Sequence, residues 1–410
     1  MTAAVAEAPP PRRAFRLIAL ALLVGNMGAT MISPLLPIYR LQWGLAASTI
    51  TVVFVAYMLG VLSAFLFLGR VSDHAGPLKV LKAALLMMVA GLAASAAAPG
   101  VEWLVAARAV VGVASGLITA SATVGLVEAE PAGAVRRAPL VASVTTMAGF
   151  GLGPLVCGLL AQGLPQPLVW PHLLIAAPTA AVLLGLAKVR ATGAPPRPAS
   201  SLRLAPSFVL PAPGARAAFL LASLGLFTAY AVFSMMASLA PTFLDTILPW
   251  HGPAVSGLAL SAVLFCSSGI QLPMRRRPQA VNARLGLSAL AASVACLAGA
   301  LILPSPLLFF TADLLLGLGH GLTYLASLSR VSGMATPASR AGLLCSFLSI
   351  GYLGTIVPIL ATGLLADHVG VPRAAIVFCC VFAVSTLGLL VWSLRMPGTP
   401  AAAQPVPAAR

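Results

Sequence analysis

Residues 103–127 read WLVAARAVVGVASGLITASATVGLV, an apolar run in which Arg108 is the only charged residue. A helix needs about 20 predominantly apolar residues to cross a bilayer. Such a helix also satisfies its own backbone hydrogen bonds, which a segment surrounded by lipid must do. This run therefore predicts a membrane-spanning helix, and the rest of the chain decides how many such helices there are.

The composition extends this prediction to the whole chain. Of the 410 residues, 60% are hydrophobic and only 8% are charged, whereas soluble domains are about 45–50% apolar and about 25% charged. An ordinary soluble protein, a disordered chain and a collagen-like fibre are excluded. A transmembrane β-barrel is excluded as well, because its strands alternate polar and apolar residues. We therefore expect an all-α integral membrane protein.

Twelve apolar runs of sufficient length follow one another along the chain. We predict spans at about 15–38, 48–69, 80–99, 103–127, 138–162, 168–189, 217–247, 253–274, 283–303, 305–329, 341–366 and 372–394. This divides the chain into a first six-helix half at 1–189, a Pro/Ala/Arg-rich linker at 190–216, a second six-helix half at 217–394 and a disordered tail at 395–410. The first run resembles a signal peptide but is too long, so we expect an uncleaved first span.

The net charge of +16 is explained by where the basic residues lie. With the N-terminus in the cytoplasm, 21 of the 24 Lys and Arg residues fall in cytoplasmic segments, and only Arg40 and Arg373 fall outside. This is the positive-inside pattern of a multi-pass protein with both termini in the cytoplasm, here of the cell (inner) membrane. It accounts for the charge without a nucleic-acid partner, which we do not expect.

The two halves also repeat one another in sequence. At an offset of 205 residues, Gly112 and Gly116 correspond to Gly317 and Gly321, and the run GLLA at 158–161 recurs at 363–366. Two pseudo-symmetric six-helix halves are a transporter architecture, with the binding site near the midplane between them. We expect a monomer in the lipid bilayer with a small-molecule substrate.

Three stretches of the first half have informative spacing. They read GRVSDHAGPLK at 69–79, RAVVGVASG at 108–116 and GFGLGPLVCG at 149–158. Together they resemble motifs of the major facilitator superfamily, specifically its twelve-helix drug:proton antiporters. The resemblance implies two halves that rock around a central site and exchange a compound for protons, with the proton gradient as energy source, no cofactor and no enzymatic activity.

The resemblance assigns a role to each motif. The loop motif implies a latch between the halves, although a simple turn with a helix cap is the alternative. The motif in helix 5 is associated with exporters, and its alternative is an ordinary packing kink at a proline. The latch residues are Gly69, Asp73, Gly76 and Lys79, and the antiporter residues are Gly149, Gly153, Pro154 and Gly158.

Arg108 is expected to face a partner or a water-filled cavity, because a charge inside a membrane helix is costly. The resemblance associates it with proton coupling, and the alternative is an arginine that reaches the outer interface. Gly112 and Gly116, on the same helix, form a small-residue face for close helix packing.

Polar residues form stripes along four predicted helices, 1, 4, 7 and 10, which line the central cavity in the family. Residues three, four, seven or eleven apart share one helix face. The stripes predict a substrate cavity lined by Asn26, Thr30, Ser115, Thr119, Tyr230, Ser234, Ser238 and Tyr324.

Asp313 is the one acidic residue that falls deep inside a predicted span. Burial favours a neutral carboxyl group and a nearby arginine favours a charged one, so such a group can bind and release a proton as its surroundings alternate. We expect proton coupling through Asp313, His320 and Arg108, which would meet Asn26 in the cavity. The alternative is a static Asp313–Arg108 pair, or a hydrogen bond from Asp313 to the backbone that only fixes packing.

Other chemistry has no support in the sequence. There is no P-loop, no HExxH and no CxxC, and the five histidines lack the spacing of metal ligands. The preferred interpretation is a proton-coupled exporter of a small hydrophobic drug, antibiotic or metabolite. A proton-coupled importer of a nutrient and a non-transporting membrane receptor or assembly factor are the alternatives.

Overall fold

The computed structural model describes residues 12–68, 71–130, 137–189, 208–336 and 339–396. Gly69 of the expected latch, residues 190–207 of the expected linker and residues 397–410 of the expected tail lie outside this part of the chain. Within it, twelve helices are long and apolar enough to cross a membrane, so the all-α fold with twelve spans is confirmed. The helices, numbered α1 to α12, are Arg12–Thr30, Ala47–Ser63, Pro77–Ala96, Val101–Glu128, Arg137–Gly163, Trp170–Ala187, Arg216–Ser238, Pro253–Met274, Gln279–Ile302, Pro306–Met334, Arg340–Val369 and Val371–Arg395.

Short segments extend four of these helices. A 3₁₀ turn at Ser33–Leu35 and a helix at Leu36–Trp43 continue α1. A π-helical turn at Ala64–Leu68 continues α2, and a five-residue helix at Val71–Ala75 precedes α3. Beyond α7 come 3₁₀ turns at Ala240–Thr242 and Leu244–Thr246.

The first and seventh spans end earlier as regular helix than the sequence predicted. A proline lacks the backbone N–H that would continue the hydrogen-bond ladder. Pro34 follows the end of α1, and Pro241 follows the end of α7. Hydropathy cannot register this interruption, because the residues on both sides are equally apolar.

Glycines bring the helices of each half together in the same way. A Cβ atom on Gly112 of α4 would lie 3.0 Å from the Cα of Gly60 on α2. The equivalent Gly317 of α10 packs against Val263 and Cys266 of α8. Small residues permit such close backbone approach between membrane helices. Residues that repeat at an offset of 205 in the sequence therefore also make equivalent helix contacts in the two halves.

The same correspondence holds for the fifth helix of each half. Gly149 of α5 packs on the backbone of α1 at Leu23, and Gly354 of α11 packs on the backbone of α7 at Phe227. Gly149 and Gly354 are 205 residues apart. The six-helix halves thus share one internal arrangement, and they meet through α5 with α8 and through α2 with α11.

The contact between the halves is closest at one end of the bundle. We call the end at which α1 begins the basic end and the opposite end the distal end. Near the distal end, a Cβ atom on Gly257 of α8 would lie 3.3 Å from the Cα of Gly158 on α5. Twelve residues further toward the basic end, the corresponding position on Gly269 has no heavy atom of the described chain within 4 Å.

A cavity separates α2 from α11 toward the basic end. It has a volume of about 160 Å³ and is lined by Leu62, Phe65, Leu344, Cys345, Leu348 and Ser349. The α5–α8 and α2–α11 contacts are therefore close at the distal end and part toward the basic end. This arrangement positions the side chains between the halves, which form the candidate site.

Candidate functional site: an aromatic cluster between the halves

Five rings form a continuous series of contacts that crosses from one half to the other. We call this the aromatic cluster, and it consists of Phe65 on the π-helical turn after α2, Tyr230 and Phe233 on α7, His320 on α10 and Tyr352 on α11. Ring centroids are separated by 6.1 Å from Phe65 to Tyr352 and by 5.8 Å from Tyr352 to Tyr230. Separations in this range are those of favourable edge-to-face and offset aromatic pairs.

His320 lies at the centre of the cluster. Its ring stacks on Tyr230 with centroids 5.6 Å apart and an interplanar angle of 12°, and it also contacts Phe233 at 5.4 Å. Its Nδ1 atom is hydrogen-bonded to the Ser267 hydroxyl of α8 at 2.8 Å. Because Nδ1 is engaged, Nε2 is the ring nitrogen that remains for a bound compound.

All members of the cluster keep part of their surface accessible. Phe65 also lines the cavity between α2 and α11. Two further tyrosines, Tyr57 of α2 and Tyr324 of α10, lie within electrostatic range of Tyr230 and Tyr352. Four of the five tyrosines in the chain therefore lie near one another.

The described partners of Arg108 lie within its own half, and its Nε atom has no hydrogen-bond partner among the described residues. The side chain is only 2% exposed, and its Nη2 donates to the backbone carbonyl of Ala29 at 3.1 Å. That carbonyl lies in the last turn of α1, where carbonyls lack helical partners and carry the negative end of the helix dipole. The Arg108 Cζ lies 4.8 Å from the centroid of the Tyr57 ring, a cation–π contact.

Arg108 and Asp313 do not form the static pair that the sequence left open. Across the described residues, no ion pair joins them, and Arg108 is held by Ala29 and Tyr57 instead. Asp313 is 4% exposed, lies close to Cys266 of α8, and its Oδ1 has no hydrogen-bond partner. A buried carboxyl oxygen without a hydrogen-bond partner is energetically costly, which marks Asp313 as unusual among the buried polar residues.

The four residues expected to meet in one cavity are distributed differently. His320 keeps accessible surface, while Asn26, Arg108 and Asp313 are buried. The Asn26 amide donates to the Leu22 carbonyl of its own helix. Sequence periodicity gives the face of a helix but not whether that face meets a cavity or a neighbouring helix.

The remaining predicted cavity residues divide in the same way. Thr119, Tyr230 and Tyr324 keep accessible surface. Ser234 and Ser238 are buried and donate to carbonyls of their own helix, at 2.6 Å and 2.7 Å. The other two hydroxyls join helices: Thr30 donates to the Phe150 carbonyl of α5 at 2.9 Å, and Ser115 is hydrogen-bonded to Tyr57 at 3.2 Å.

The residues of the other two motifs are also placed. Gly76, with φ of 85°, is the N-cap residue of α3 and Lys79 follows in its first turn, while Asp73 lies in the preceding short helix. In α5, Gly149 and Gly153 pack on α1, whereas Pro154 and Gly158 pack on α8 of the other half. The helix 5 motif thus contacts α1 of the first half on one side and α8 of the second half on the other.

Sequence reasoning missed Tyr57, Phe65, Phe233 and Tyr352. Tyr57 lies on α2, Phe65 on the turn that follows α2, and Tyr352 on α11, and the sequence predicted no polar stripe on these helices. Phe233 lies on α7 but is apolar. A signal was nevertheless present, because the chain has only five tyrosines and four of them fall inside predicted spans where a hydroxyl requires a partner.

Twelve spans in two equivalent six-helix halves are the architecture of a transporter. The sequence profile of the Major Facilitator Superfamily matches residues 18–357. The chain therefore belongs to the Major Facilitator Superfamily, and its role is transport across a membrane rather than catalysis. None of the curated protein sequences matches the chain.

Solved structures of transporters share this fold. A bacterial homologue of the human lysosomal transporter Spinster, inward-facing and occupied, superposes with a TM-score of 0.76 at 16% identity, covering 97% of this chain and 100% of that one. The nucleoside transporter NupG gives 0.72 at 13% identity, covering 94% and 100%. A POT family transporter in complex with 5-aminolevulinic acid gives 0.72 at 14% identity, covering 93% and 96%.

Proposed function

We propose that this protein exports a small, planar, uncharged aromatic compound in exchange for protons. The observation that carries the proposal is the aromatic cluster, because its ring contacts join the first half, through Phe65, to the second half. A compound held between rings of the two halves is released when the halves separate, as alternating access requires.

The side chains of the aromatic cluster favour an uncharged aromatic cargo. The ring contacts of the cluster involve tyrosine, phenylalanine and histidine, and Arg108 contacts Ala29 and Tyr57 of its own half. A cationic cargo would call for an acid at the rings, and Asp313 is instead two helical turns from His320 along α10. Tyrosine hydroxyls and the free Nε2 of His320 supply hydrogen bonds to a polar edge of the ligand.

Proton coupling is proposed to pass through Asp313, with His320 as the link to the cargo. Asp313 has an unpartnered oxygen in this conformation, which favours the protonated form. When the halves rock and water reaches α10, the carboxyl group can ionise and release its proton. His320 lies seven residues further along the same face of α10, so the change in charge at Asp313 would alter the electrostatic environment of the His320 ring.

Export is the proposed direction, with the basic end in the cytoplasm and both termini there. The helix 5 motif resembles that of exporters, and its Pro154 and Gly158 pack on α8 of the other half. The inter-half cavity near the basic end would then admit cargo from the cytoplasm or the inner leaflet.

Accumulation in intact cells tests this proposal. A fluorescent planar aromatic compound should accumulate less in cells that express the protein than in cells that do not, and a protonophore should abolish the difference. Tyr352→Leu removes the ring that links Phe65 to Tyr230 and should reduce export efficiency about tenfold, since an aromatic pair contributes up to about 1.5 kcal/mol. Tyr352→Phe should retain most of the activity.

A matched control separates the site from general packing. Phe378 and Phe382 stack on each other in α12 with centroids 4.4 Å apart, and neither ring contacts a ring of the cluster among the described residues. Phe378→Leu should leave export efficiency unchanged at equal expression. Greater accumulation in expressing cells would instead establish the importer, and equal accumulation for every compound would favour a receptor or assembly role.

A further inference from the structure

The N-terminus of α8 lacks a cap from its own chain segment and receives one from the other half. Its N-cap residue is Gly252, which has no side chain to offer. The Oε1 atom of Gln162, at the end of α5, accepts a hydrogen bond from the Ala254 backbone N–H at 3.1 Å. The first backbone N–H groups of a helix need such an acceptor, which the preceding residue usually supplies.

The N-terminus of α2 shows the same arrangement in the opposite direction. Its N-cap residue is Ala46, which cannot cap the helix. The Oδ1 atom of Asp367, near the end of α11, accepts from the Ser48 backbone N–H at 3.1 Å, and the carboxylate also interacts with the Ala47 N–H and the Ser48 hydroxyl. Here the second half caps a helix of the first.

These two caps are equivalent positions of the repeat. Gln162 and Asp367 are 205 residues apart. One helical turn before each lies a glycine, Gly158 or Gly363, that packs on the start of the same capped helix: Gly158 on Pro253 and Ala254, and Gly363 on Ser48 and Thr51. Each contact thus combines a close glycine surface with a cap supplied across the interface between the halves.

We propose that these two contacts are distal clasps that hold the transporter closed at the distal end, with Gln162 and Asp367 as positioning residues of the transport cycle. The α5–α8 clasp is Gln162 with Ala254, and the α2–α11 clasp is Asp367 with Ser48. Each clasp joins one half to the other, so it must break when the halves separate distally. Because Ala46 and Gly252 have no side chain that can cap a helix, the start of each helix depends on its clasp for a side-chain cap.

The two clasps differ in strength. Asp367 brings a negative charge to a helix N-terminus, which carries partial positive charge, whereas Gln162 brings a neutral amide oxygen. Both side chains are exposed, so water replaces part of each hydrogen bond after opening. The clasps therefore bias the conformational equilibrium without locking it, as a transporter that must cycle requires.

Distance measurements between spin labels at the distal end test the clasps directly. Ala97→Cys, after α3, and Leu303→Cys, after α9, place labels on exposed distal loops of the two halves. The six native cysteines would be replaced by alanine. Double electron–electron resonance on protein in nanodiscs without cargo then reports the populations that are closed and open at the distal end.

Loss of a side-chain cap to alanine shifts an equilibrium about fivefold, and independent changes multiply. Gln162→Ala should raise the ratio of the long-distance to the short-distance population about fivefold. Asp367→Ala should raise it further, because the charged clasp is the stronger one, and the double variant should show the product of the two factors. Gln162→Glu and Asp367→Asn retain an acceptor oxygen and should shift the ratio less than the alanine variants do. Gln279→Ala changes an exposed glutamine at the basic end and should have no effect.

The inference would be overturned if the double variant kept the parent distance distribution, or if only one of the two alanine variants shifted it. It rests on the proposed alternating access, but the distances are measured without cargo and without a proton gradient. A shift in distances together with absent export would therefore reject the proposed function while retaining the clasps. The two acceptor-retaining variants also show that any shift arises from the caps and not from misfolding.

Discussion

The contact between Arg108 and Tyr57 allows a quantitative test of how a buried positive charge is tolerated in α4. The side chain has the Ala29 carbonyl and the face of the Tyr57 ring as partners. We expect the two residues to be energetically coupled, and we expect no coupling between Arg108 and Asp313. The perturbation is Tyr57→Leu, made in the parent protein and in an Arg108→Met background.

The magnitude follows from the contacts that each substitution removes. A cation–π contact shielded from water contributes about 2 kcal/mol. The Tyr57–Ser115 hydrogen bond, at 3.2 Å, adds about 1 kcal/mol. Tyr57→Leu should therefore lower the free energy of unfolding by about 3 kcal/mol in the parent, and Tyr57→Phe by about 1 kcal/mol because it keeps the ring. With Arg108→Met, the cost of Tyr57→Leu should fall by about 2 kcal/mol.

The assay is reversible unfolding in mixed micelles titrated with a denaturing detergent, analysed as a double-mutant cycle. A parallel cycle with Arg108→Met and Asp313→Asn serves as the control and should give a coupling energy below about 0.5 kcal/mol. The reasoning fails if the Arg108–Tyr57 coupling is also below about 0.5 kcal/mol, or if Arg108 and Asp313 couple by more than about 1 kcal/mol.

Two further substitutions test packing and the environment of His320. Gly112→Leu would force a side chain into the backbone of α2 and should abolish monodisperse protein on size-exclusion chromatography, whereas Gly333→Leu, with open space around it, should be tolerated. Ser267→Ala removes the partner of His320 Nδ1 and should reduce export several-fold in the accumulation assay. Ser268→Ala should not, because that hydroxyl bonds only within its own helix.

Hydropathy predicts the fold well because lipid imposes a single strong condition on each span. Any helix that crosses the bilayer must be long and apolar, and this condition is visible in the letters alone. The interruptions are less visible. Pro34 and Pro241 lie within apolar sequence, and the end of regular helix before each depends on the missing backbone N–H rather than on hydropathy.

The candidate site is predicted less well because a helix face can meet either a cavity or another helix. Asn26, Ser234 and Ser238 share faces with other polar residues, yet all three are buried and bond to their own helices. Tyr352 and Phe65 approach each other only when α2 and α11 are assembled from different halves. Long-range placement of this kind has no counterpart in local periodicity.

The internal repeat is detected from the sequence, and the structure shows which contacts its residues make. The offset of 205 was visible in glycines, and the structure assigns each of them a contact. Gln162 has a neutral amide side chain and Asp367 has a carboxylate, so a comparison of the two halves by sequence does not identify them as equivalent. Their equivalence emerges only because both accept from the N–H of a helix in the other half.

Proton movement in reconstituted vesicles tests the central claim most directly. The purified protein would be placed in vesicles with an interior pH dye, a pH gradient would be imposed, and planar aromatic compounds would be added. The account predicts proton flux that requires a compound and is lost with Asp313→Asn, while Asp367→Asn, which retains the clasp, keeps it. Compound movement at an unchanged rate after collapse of the pH gradient would contradict proton-coupled export.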